Sequence, residues 1–391
     1  MKILYITTVF PEIGTSTIYT DLAEALSRTH NVTVVTNIER KKGRDTFLKE
    51  ERGCRVLRIK TGNQYNVGFI EKGITIISIS FLFKRGINKF FGKDKFDLIL
   101  YEAPPITLEG VIRFAKKKYK AKTYLMLKDI FPQNAVDLNI MKKGSYIYKY
   151  FKRIEKKLYA NSDYIGCMSK ANIEYIQRYN EDVAEKVTYF PNTKKIKPII
   201  KKDRKILEKY GIPTSKTIFI FGGNMGKPQG VEFLANCIKK CEYIEEAHFV
   251  LVGRGSERTK VEVILSEVKN ATIIDELPRD EYDLLVASCD IGIVSLDYRF
   301  TIPNFPSRVL SYMENSMPIF AMTDENSDIK EIIEHVNCGV WCPSKDYDHV
   351  IKKVEWFVGC LDKGNMGKNG RVFLEENYDV EISKKIIDDI I

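Results

Sequence analysis

The chain has 391 residues, 44% of them hydrophobic and 29% charged, the make-up of a folded globular protein rather than a disordered one. That length overfills a single core, so two domains are expected. The net charge of +10 is unevenly spread: residues 1–195 carry 36 Lys and Arg against 20 Asp and Glu, and the remainder carries 26 against 32. A basic first half calls for an anionic partner: nucleic acid, a phosphorylated substrate or an anionic membrane face.

Met1-Lys2 runs directly into Ile3-Leu4-Tyr5-Ile6, which reads as a strand and not as a leader peptide. The longest apolar stretch, Ile74–Phe83, is broken by Thr75, Ser78 and Ser80 and is about half as long as a membrane-spanning helix. A cytoplasmic chain that does not itself cross a bilayer is expected. The eight cysteines form no CxxC pair, and His30, His248, His335 and His349 are scattered. Reduced, mostly buried thiols fit that placement better than disulfides or a metal centre.

In chain order, strands are expected at Lys2–Val9, Asn31–Asn37, Arg55–Lys60, Phe96–Glu102, Lys122–Leu127, Tyr164–Met168 and Lys186–Phe190. A second series follows at Thr217–Gly222, His248–Gly253, Thr272–Leu277, Ile291–Leu296, Pro318–Met322 and Val340–Cys342. Amphipathic segments such as Thr20–Arg28 fill the gaps. Strand and helix in alternation imply parallel sheets covered on both faces. The series stops and restarts across Asn192–Thr217, a stretch holding Pro198, Pro213, several lysines and one helical segment, Asp203–Tyr210. The expected division is 1–197 and 198–375, two Rossmann-like domains facing each other across a cleft. A terminal helix in 376–391 is expected to pack back on the first domain.

Three turns in the second half suit an anion. Phe219-Ile220-Phe221 leads into Gly222-Gly223-Asn224-Met225-Gly226-Lys227-Pro228-Gln229-Gly230 and then a helix at Val231–Lys240. Glycines between a strand and a helix let backbone N–H groups approach a phosphate, although a plain left-handed turn has the same composition. Gly253-Arg254-Gly255-Ser256-Glu257 is a second such turn, where Arg254 either reaches a phosphate or is simply solvated. The third is Pro306-Ser307-Arg308, with Ser307 the expected N-cap and Ser307, Ser311 and Glu314 on the face opposite Val309, Leu310 and Met313. A cation in a first helical turn opposes the helix dipole, so Arg308 breaks a local rule that a bound diphosphate would repair.

These residues resemble the family 4 retaining glycosyltransferases of the GT-B fold, most closely the branch that builds bacterial capsule and O-antigen repeat units. The resemblance is carried by Met1–Ile6 with Gly14 and Asp21–Leu26, by Lys128-Asp129-Ile130-Phe131-Pro132-Gln133, by Gly223-Asn224-Met225-Gly226 with Gln229-Gly230, and by Pro306-Ser307-Arg308 with Tyr312-Met313 and Pro318. It implies that Gly14 sits beside the donor, Asp129 at the cleft as a catalytic candidate, and Arg308 close to the diphosphate. It places Gly223, Asn224, Gln229, Arg254, Ser307 and Ser311 around a nucleotide sugar, UDP-linked as the first choice, with no cofactor and no metal. The acceptor implied is a saccharide or a lipid-diphosphate-linked saccharide. Asn224 and Gln229 stand where many relatives carry an Arg and a Lys that clamp the diphosphate. Pro303 and Ser311 stand where relatives often have two glutamates. With neutral amides in the clamp, the charge would fall to Arg308, Arg254, Lys227 and backbone N–H groups. A serine in place of the ribose-binding glutamate forfeits about 1 kcal/mol. In such retaining transfer the leaving phosphate itself takes the acceptor's proton, so no separate base is implied.

Glu102 and Asp129 both close strands of the first half, where acid–base groups sit in α/β folds. Asp346-Tyr347-Asp348 reads as charge at a helix start and not as a metal motif. The segments Phe114–Tyr119 and Lys142–Tyr159 interleave aromatics with lysines, which suits either peripheral docking on an anionic membrane or a core face with a solvated basic back. No nucleic-acid-binding module appears, and Thr7–Pro11 replaces the glycine motif a dehydrogenase needs. A catalytically silent partner of another transferase and a sugar-nucleotide epimerase remain the alternatives.

Overall fold

The computed structural model describes residues 1–63 and 69–390, with residues 69–74, 76 and 77 described by their backbone alone. The apolar stretch Ile74–Phe83 therefore lies partly outside the described side chains. Among the described residues no helix is long and apolar enough to cross a membrane. The chain divides into two compact units, Met1–Lys195 with Val380–Ile391, and Ile196–Asp379.

The first unit is built on β1 (Lys2–Ile6), β2 (Asn31–Glu39), β3 (Phe47–Glu51), β4 (Cys54–Thr61), β5 (Leu98–Ala103), β6 (Lys122–Leu127), β7 (Tyr164–Cys167) and β8 (Val187–Tyr189). Their order in the sheet is β3-β4-β2-β1-β5-β6-β7-β8. All neighbours are parallel except β3 and β4. Central strands such as β1 and β5 are buried almost throughout, because helices cover both faces. Those helices are α1 (Ile18–Ser27), α2 (Phe69–Phe91), α3 (Glu109–Tyr119), α4 (Gln133–Asp137), α5 (Tyr146–Asn161) and α6 (Lys170–Tyr179). Strand β3 escapes the sequence reading because Phe-Leu-Lys-Glu-Glu carries the charge of an exposed sheet edge. Its hairpin turn is Arg52-Gly53, both at positive φ (55° and 73°), without the Asn-Gly or Asp-Gly pair that signals such turns.

The second unit carries β9 (Thr217–Gly222), β10 (Ala247–Val252), β11 (Ala271–Ile274), β12 (Ile291–Ser295), β13 (Ile319–Thr323) and β14 (Gly339–Pro343), in the order β11-β10-β9-β12-β13-β14. All its neighbouring strands are parallel. Around them lie α7 (Arg204–Lys209), α8 (Val231–Lys240), α9 (Arg258–Leu265), α10 (Arg279–Ser288), α11 (Arg308–Glu314), α12 (Ile329–Val336), α13 (Tyr347–Gly359) and α14 (Lys363–Asn377). In its core Phe219 stacks on Phe249 at 5.1 Å and meets Phe357 edge-on at 6.0 Å. Truncating such an aromatic costs about 3–5 kcal/mol.

The chain then returns to the first unit as α15 (Val380–Asp388), which packs on α1. His30 Nε2 meets Asp388 Oδ1 at 2.6 Å, Arg28 pairs with Glu381, and Val380 N–H donates to the Lys194 carbonyl at 3.0 Å. Lys197 belongs to the second unit because its N–H donates to Glu314 Oε1 (2.9 Å) and its carbonyl accepts from Arg371 Nη1 (2.9 Å). Tyr378 stays in the second unit through ring contacts with Phe305 at 5.5 Å and Phe373 at 5.7 Å.

In each sheet, successive connections leave in opposite directions at one place: between β1 and β5 in the first unit, and between β9 and β12 in the second. Such a divergence opens a crevice at the carboxyl ends of the strands, where open α/β sheets bind ligands.

Candidate functional site

In the second unit the loop after β9 and the segment after β12 meet at this divergence. Gly223 has φ +123°, which a residue with a side chain rarely adopts, and a Cβ there would lie 3.1 Å from Arg308 Nη2. The glycine thus leaves open the space in front of the guanidinium. Arg308 itself is half-buried, stacked over the Phe221 ring at 4.2 Å, and its Nη1 is buried with no hydrogen-bond partner among the described residues. Burial lowers its pKa, the mark of a cation whose charge is poorly compensated. An unpaired buried charge is costly, so this geometry suits an anion better than an empty site.

The turn backbone is only partly free. The N–H groups of Gly223 and Met225 donate to the carbonyls of Val252 (2.9 Å) and Arg254 (2.7 Å), tying the loop to the end of β10. Those of Asn224 and Gly226 have no hydrogen-bond partner among the described residues. The side chains of Asn224 and Gln229 come together across Gly226, Nδ2 to Oε1 at 3.4 Å, a long bond that an incoming ligand can replace. Arg254 is exposed, with a 3.9 Å approach to Asp275. Lys227 lines a cavity of about 550 Å³ together with Glu232, Asp297, Arg299 and Lys345, and neither Gly223 nor Arg308 borders that cavity.

Around Ser307 the structure corrects the sequence expectation. Ser307 occupies the N-cap position of α11 but has helical backbone angles (φ −61°, ψ −14°) and makes no capping bond. With seven residues α11 is too short to offer much dipole, and Arg308 does not oppose it, because the guanidinium packs on Phe221 instead. Ser311 is half-buried, but Glu314 is buried and holds the Lys197 N–H, so the expected polar face Ser307-Ser311-Glu314 does not form.

In the first unit the corresponding divergence holds a carboxylate that ties two loops. Glu102 on β5 accepts from Thr7 Oγ1 (2.8 Å) and Thr8 N–H (2.9 Å) in the loop after β1, while its Oε2 is buried without a partner among the described residues. Burial raises its pKa to about 7. Lys128, the residue after β6, is half-buried with Nζ 5.2 Å from the Phe190 ring centre, and burial brings its pKa down to about 7 against the pull of Glu102. Asp129 accepts from the Ile130 N–H (2.7 Å) and from Asn134 Nδ2, and burial lifts it to about 6. Asp129 and Glu102 therefore each serve their own loop, and no hydrogen bond joins them among the described residues. Gly14 (φ +106°) is exposed in the β1–α1 loop. That loop is anchored by Arg58, whose Nη1 donates to the Phe10 carbonyl (2.7 Å) and whose Nη2 pairs with the buried Glu51 (2.8 Å).

Residues 202–372 match the model of the family described as glycosyl transferases group 1. Over 321 residues the chain is 24% identical to the probable glycosyltransferase WbjE of Pseudomonas aeruginosa, covering 80% of this chain and 78% of that one. Among solved structures it resembles a sucrose-phosphate synthase from Thermosynechococcus elongatus (TM-score 0.78, 15% identity, covering 100% of this chain and 98% of that one). It also resembles Anabaena Alr3699/HepE in complex with UDP (TM-score 0.68, 14% identity, covering 100% and 99%). The chain has the GT-B fold, and residues 202–372 of its second unit carry a glycosyl transferases group 1 domain.

Within this fold the sequence names Tyr312 only through the resemblance and passes over Tyr282, and both rings pack on strand glycines beside the candidate site. Tyr282 on α10 covers Gly222, where a Cβ would fall 2.0 Å from its hydroxyl. Tyr312 on α11 lies across Gly292, donates to the Ile220 carbonyl (3.1 Å) and faces the Gly222 N–H at 3.4 Å. Glycine inside a strand is the signal that was available, since it marks a close approach by another group. Asp346 caps α13 by accepting from the His349 N–H at 2.9 Å. Seven of the eight cysteines are buried, Cys360 is half-buried, and all are free thiols.

Proposed function

We propose that this glycosyltransferase transfers a sugar, with retention at the anomeric carbon, from a nucleotide-diphosphate sugar to a saccharide or lipid-diphosphate-linked saccharide. UDP is the first choice of nucleotide, and cell-surface polysaccharide such as capsule is the expected product. The observation that carries the reading is the Arg308 guanidinium, half-buried and unpartnered at Nη1, facing the gap left by Gly223. A diphosphate there completes the pairing that the free protein lacks. As the glycosidic bond breaks, charge develops on the leaving diphosphate. Arg308 can receive it in a two-pronged bond, and the Asn224 and Gly226 N–H groups are available beside it. Charge-assisted bonds of this kind contribute about 1.5–3 kcal/mol each. The structure of Anabaena Alr3699/HepE named above is described with bound UDP, which supports the choice of nucleotide. We place the reaction in the cytoplasm, at the inner membrane face, without metal or cofactor.

Thermal shift against UDP, GDP, dTDP and their sugars, followed by donor turnover with and without EDTA, tests the reading. UDP or another of the three should raise the melting temperature, and the product anomer should match the donor's. A protein shifted by no nucleoside diphosphate would overturn the donor assignment, and activity abolished by EDTA would overturn metal independence. Nucleotide binding without turnover would support the silent-partner alternative, for which the paired amides Asn224 and Gln229 and the serine at 311 speak.

A further inference from the structure

Helix α5 separates the two readings that its sequence left open. Its inner face is ordinary core: Glu155, Leu158 and Tyr159 are buried, and Phe151 meets Phe131 edge-on at 5.0 Å. The outer face is unusual. Tyr146, Tyr150, Arg153 and Lys157, spaced i, i+4, i+7 and i+11, form one stripe opposite the core, with Ile147 on one flank and Lys149 and Lys156 on the other. Tyr146 is 92% exposed, Ile147 61% and Tyr150 57%, and Ile140 in the turn before the helix is 61% exposed. Single exposed apolar residues are ordinary, but four within eleven positions, set among cations, are not.

The charge on this face is unbalanced. Lys149, Arg153, Lys156 and Lys157 form no salt bridge among the described residues, whereas Lys152 pairs with Glu155 on the inner side. A groove of about 520 Å³ runs along the helix between Tyr148, Lys149, Lys152, Arg153, Lys156 and Lys157, with Asp182 its one carboxylate. The turn leading in adds the exposed Lys142 and Lys143, and the first helical turn has no acidic residue. Such a face fits a layer that presents phosphates at its surface and hydrocarbon just beneath. Lysine and arginine would meet the phosphates, and tyrosine, with an apolar ring and a polar tip, sits where the two meet. Ile140 and Ile147 have no counterpart on a nucleic-acid backbone.

We propose that the outer face of α5, with the Lys142-Lys143 turn, is the surface by which the protein lies on an anionic lipid leaflet. It deepens the reading of a lipid-linked acceptor by naming the surface that brings the enzyme to it. The binding itself needs neither donor nor acceptor, so the two can fail separately.

Vesicle flotation of the full chain tests it. Wild type should float with phosphatidylcholine vesicles containing phosphatidylglycerol, should not float with phosphatidylcholine alone, and should be released by salt. Replacing Lys149→Glu with Arg153→Glu should lower the partition at least about tenfold. Tyr146→Ser with Tyr150→Ser should lower it several-fold. Lys42→Glu with Lys49→Glu, exposed cations on other elements of the same unit, should leave it near wild type. All these side chains are exposed, so circular-dichroism melts should coincide, and turnover of a soluble acceptor serves as the separate measure of the donor site. The proposal is overturned if wild type ignores anionic vesicles, if the α5 pairs bind like wild type, or if the Lys42/Lys49 pair loses as much. It is also overturned if single-stranded RNA binds more tightly than the vesicles with no dependence on the two tyrosines, which would make nucleic acid the partner.

Discussion

Arg308→Met separates a ligand-binding cation from a structural one, because the methionine keeps much of the packing on Phe221 and removes the charge. In the free protein two contributions oppose each other. The contact with Phe221 at 4.2 Å stabilises by about 0.5–2 kcal/mol. The buried, unpartnered Nη1 costs about 1–3 kcal/mol. The variant without ligand should therefore melt within a few degrees of wild type, or above it. With nucleotide the balance changes, since losing two charge-assisted bonds of about 1.5 kcal/mol each weakens binding roughly a hundredfold. At UDP a hundred times the wild-type Kd, wild type gains about 2.7 kcal/mol, and a variant with hundredfold weaker binding gains about 0.4 kcal/mol. For a unit of this size each kcal/mol moves Tm by roughly 2–4 °C, so the UDP-induced shift should fall from roughly 5–10 °C to about 1 °C. Differential scanning fluorimetry reads both quantities, and isothermal titration calorimetry gives Kd directly. Wild-type affinity for UDP in the variant would refute the argument. So would a loss of many degrees without ligand, which would make Arg308 a pillar of the fold.

Two further outcomes follow from the same geometry. Gly253→Ala places a methyl group 2.1 Å from the Gly223 carbonyl oxygen at a φ of +136°, so the loops after β9 and β10 must part. A loss of more than about 3 kcal/mol is expected in denaturant unfolding, and a Tm within two degrees or so of wild type would refute the packing described. Glu102 binds a proton up to about pH 7 when folded, against an ordinary value of 4.5. Between those values the folded chain keeps a proton that the unfolded chain has released, so stability falls as pH rises through the window, by up to about 1.4 kcal/mol per unit. Lys128, held down to about 7 from 10.5, has the opposite effect above neutrality, where stability rises with pH. Glu102→Gln should flatten the decline below pH 7, leaving the smaller slope due to Asp129, which burial raises from 3.8 to about 6. Denaturation midpoints at several pH values check this, and identical slopes in wild type and variant would place the titration elsewhere.

Much of the architecture was legible because its causes are local. Thirteen of the strands were read from short β-branched runs, and α8 was placed at Val231–Lys240, the range the structure shows. Edge strand β3 was not, since its charge mimics a loop and its Arg52-Gly53 turn lacks the usual residues. Arg308 stood out because it broke a local rule, although the reason inferred from that rule was not the one found. The cation is exceptional for a half-buried guanidinium stacked on Phe221, with Nη1 unpartnered among the described residues, and not for facing a dipole.

By itself, then, the order of residues settled what repeats along the chain: strand and helix periods, glycine turns and the basic excess of the first half. Folding decided which polar atoms are left over. Glu102 Oε1 is spent on Thr7 and Thr8, 95 and 94 residues away, and Glu314 on Lys197, 117 away. Tyr282 and Tyr312 close on strand glycines, and Tyr146 and Tyr150 of α5 turn outward while Tyr159 turns in. Periodicity is written within a few residues of itself. Whether a donor or a charge finds its partner depends on strands and helices that meet only when the sheet is assembled, and unmet demand of that kind is what a ligand or a membrane can satisfy.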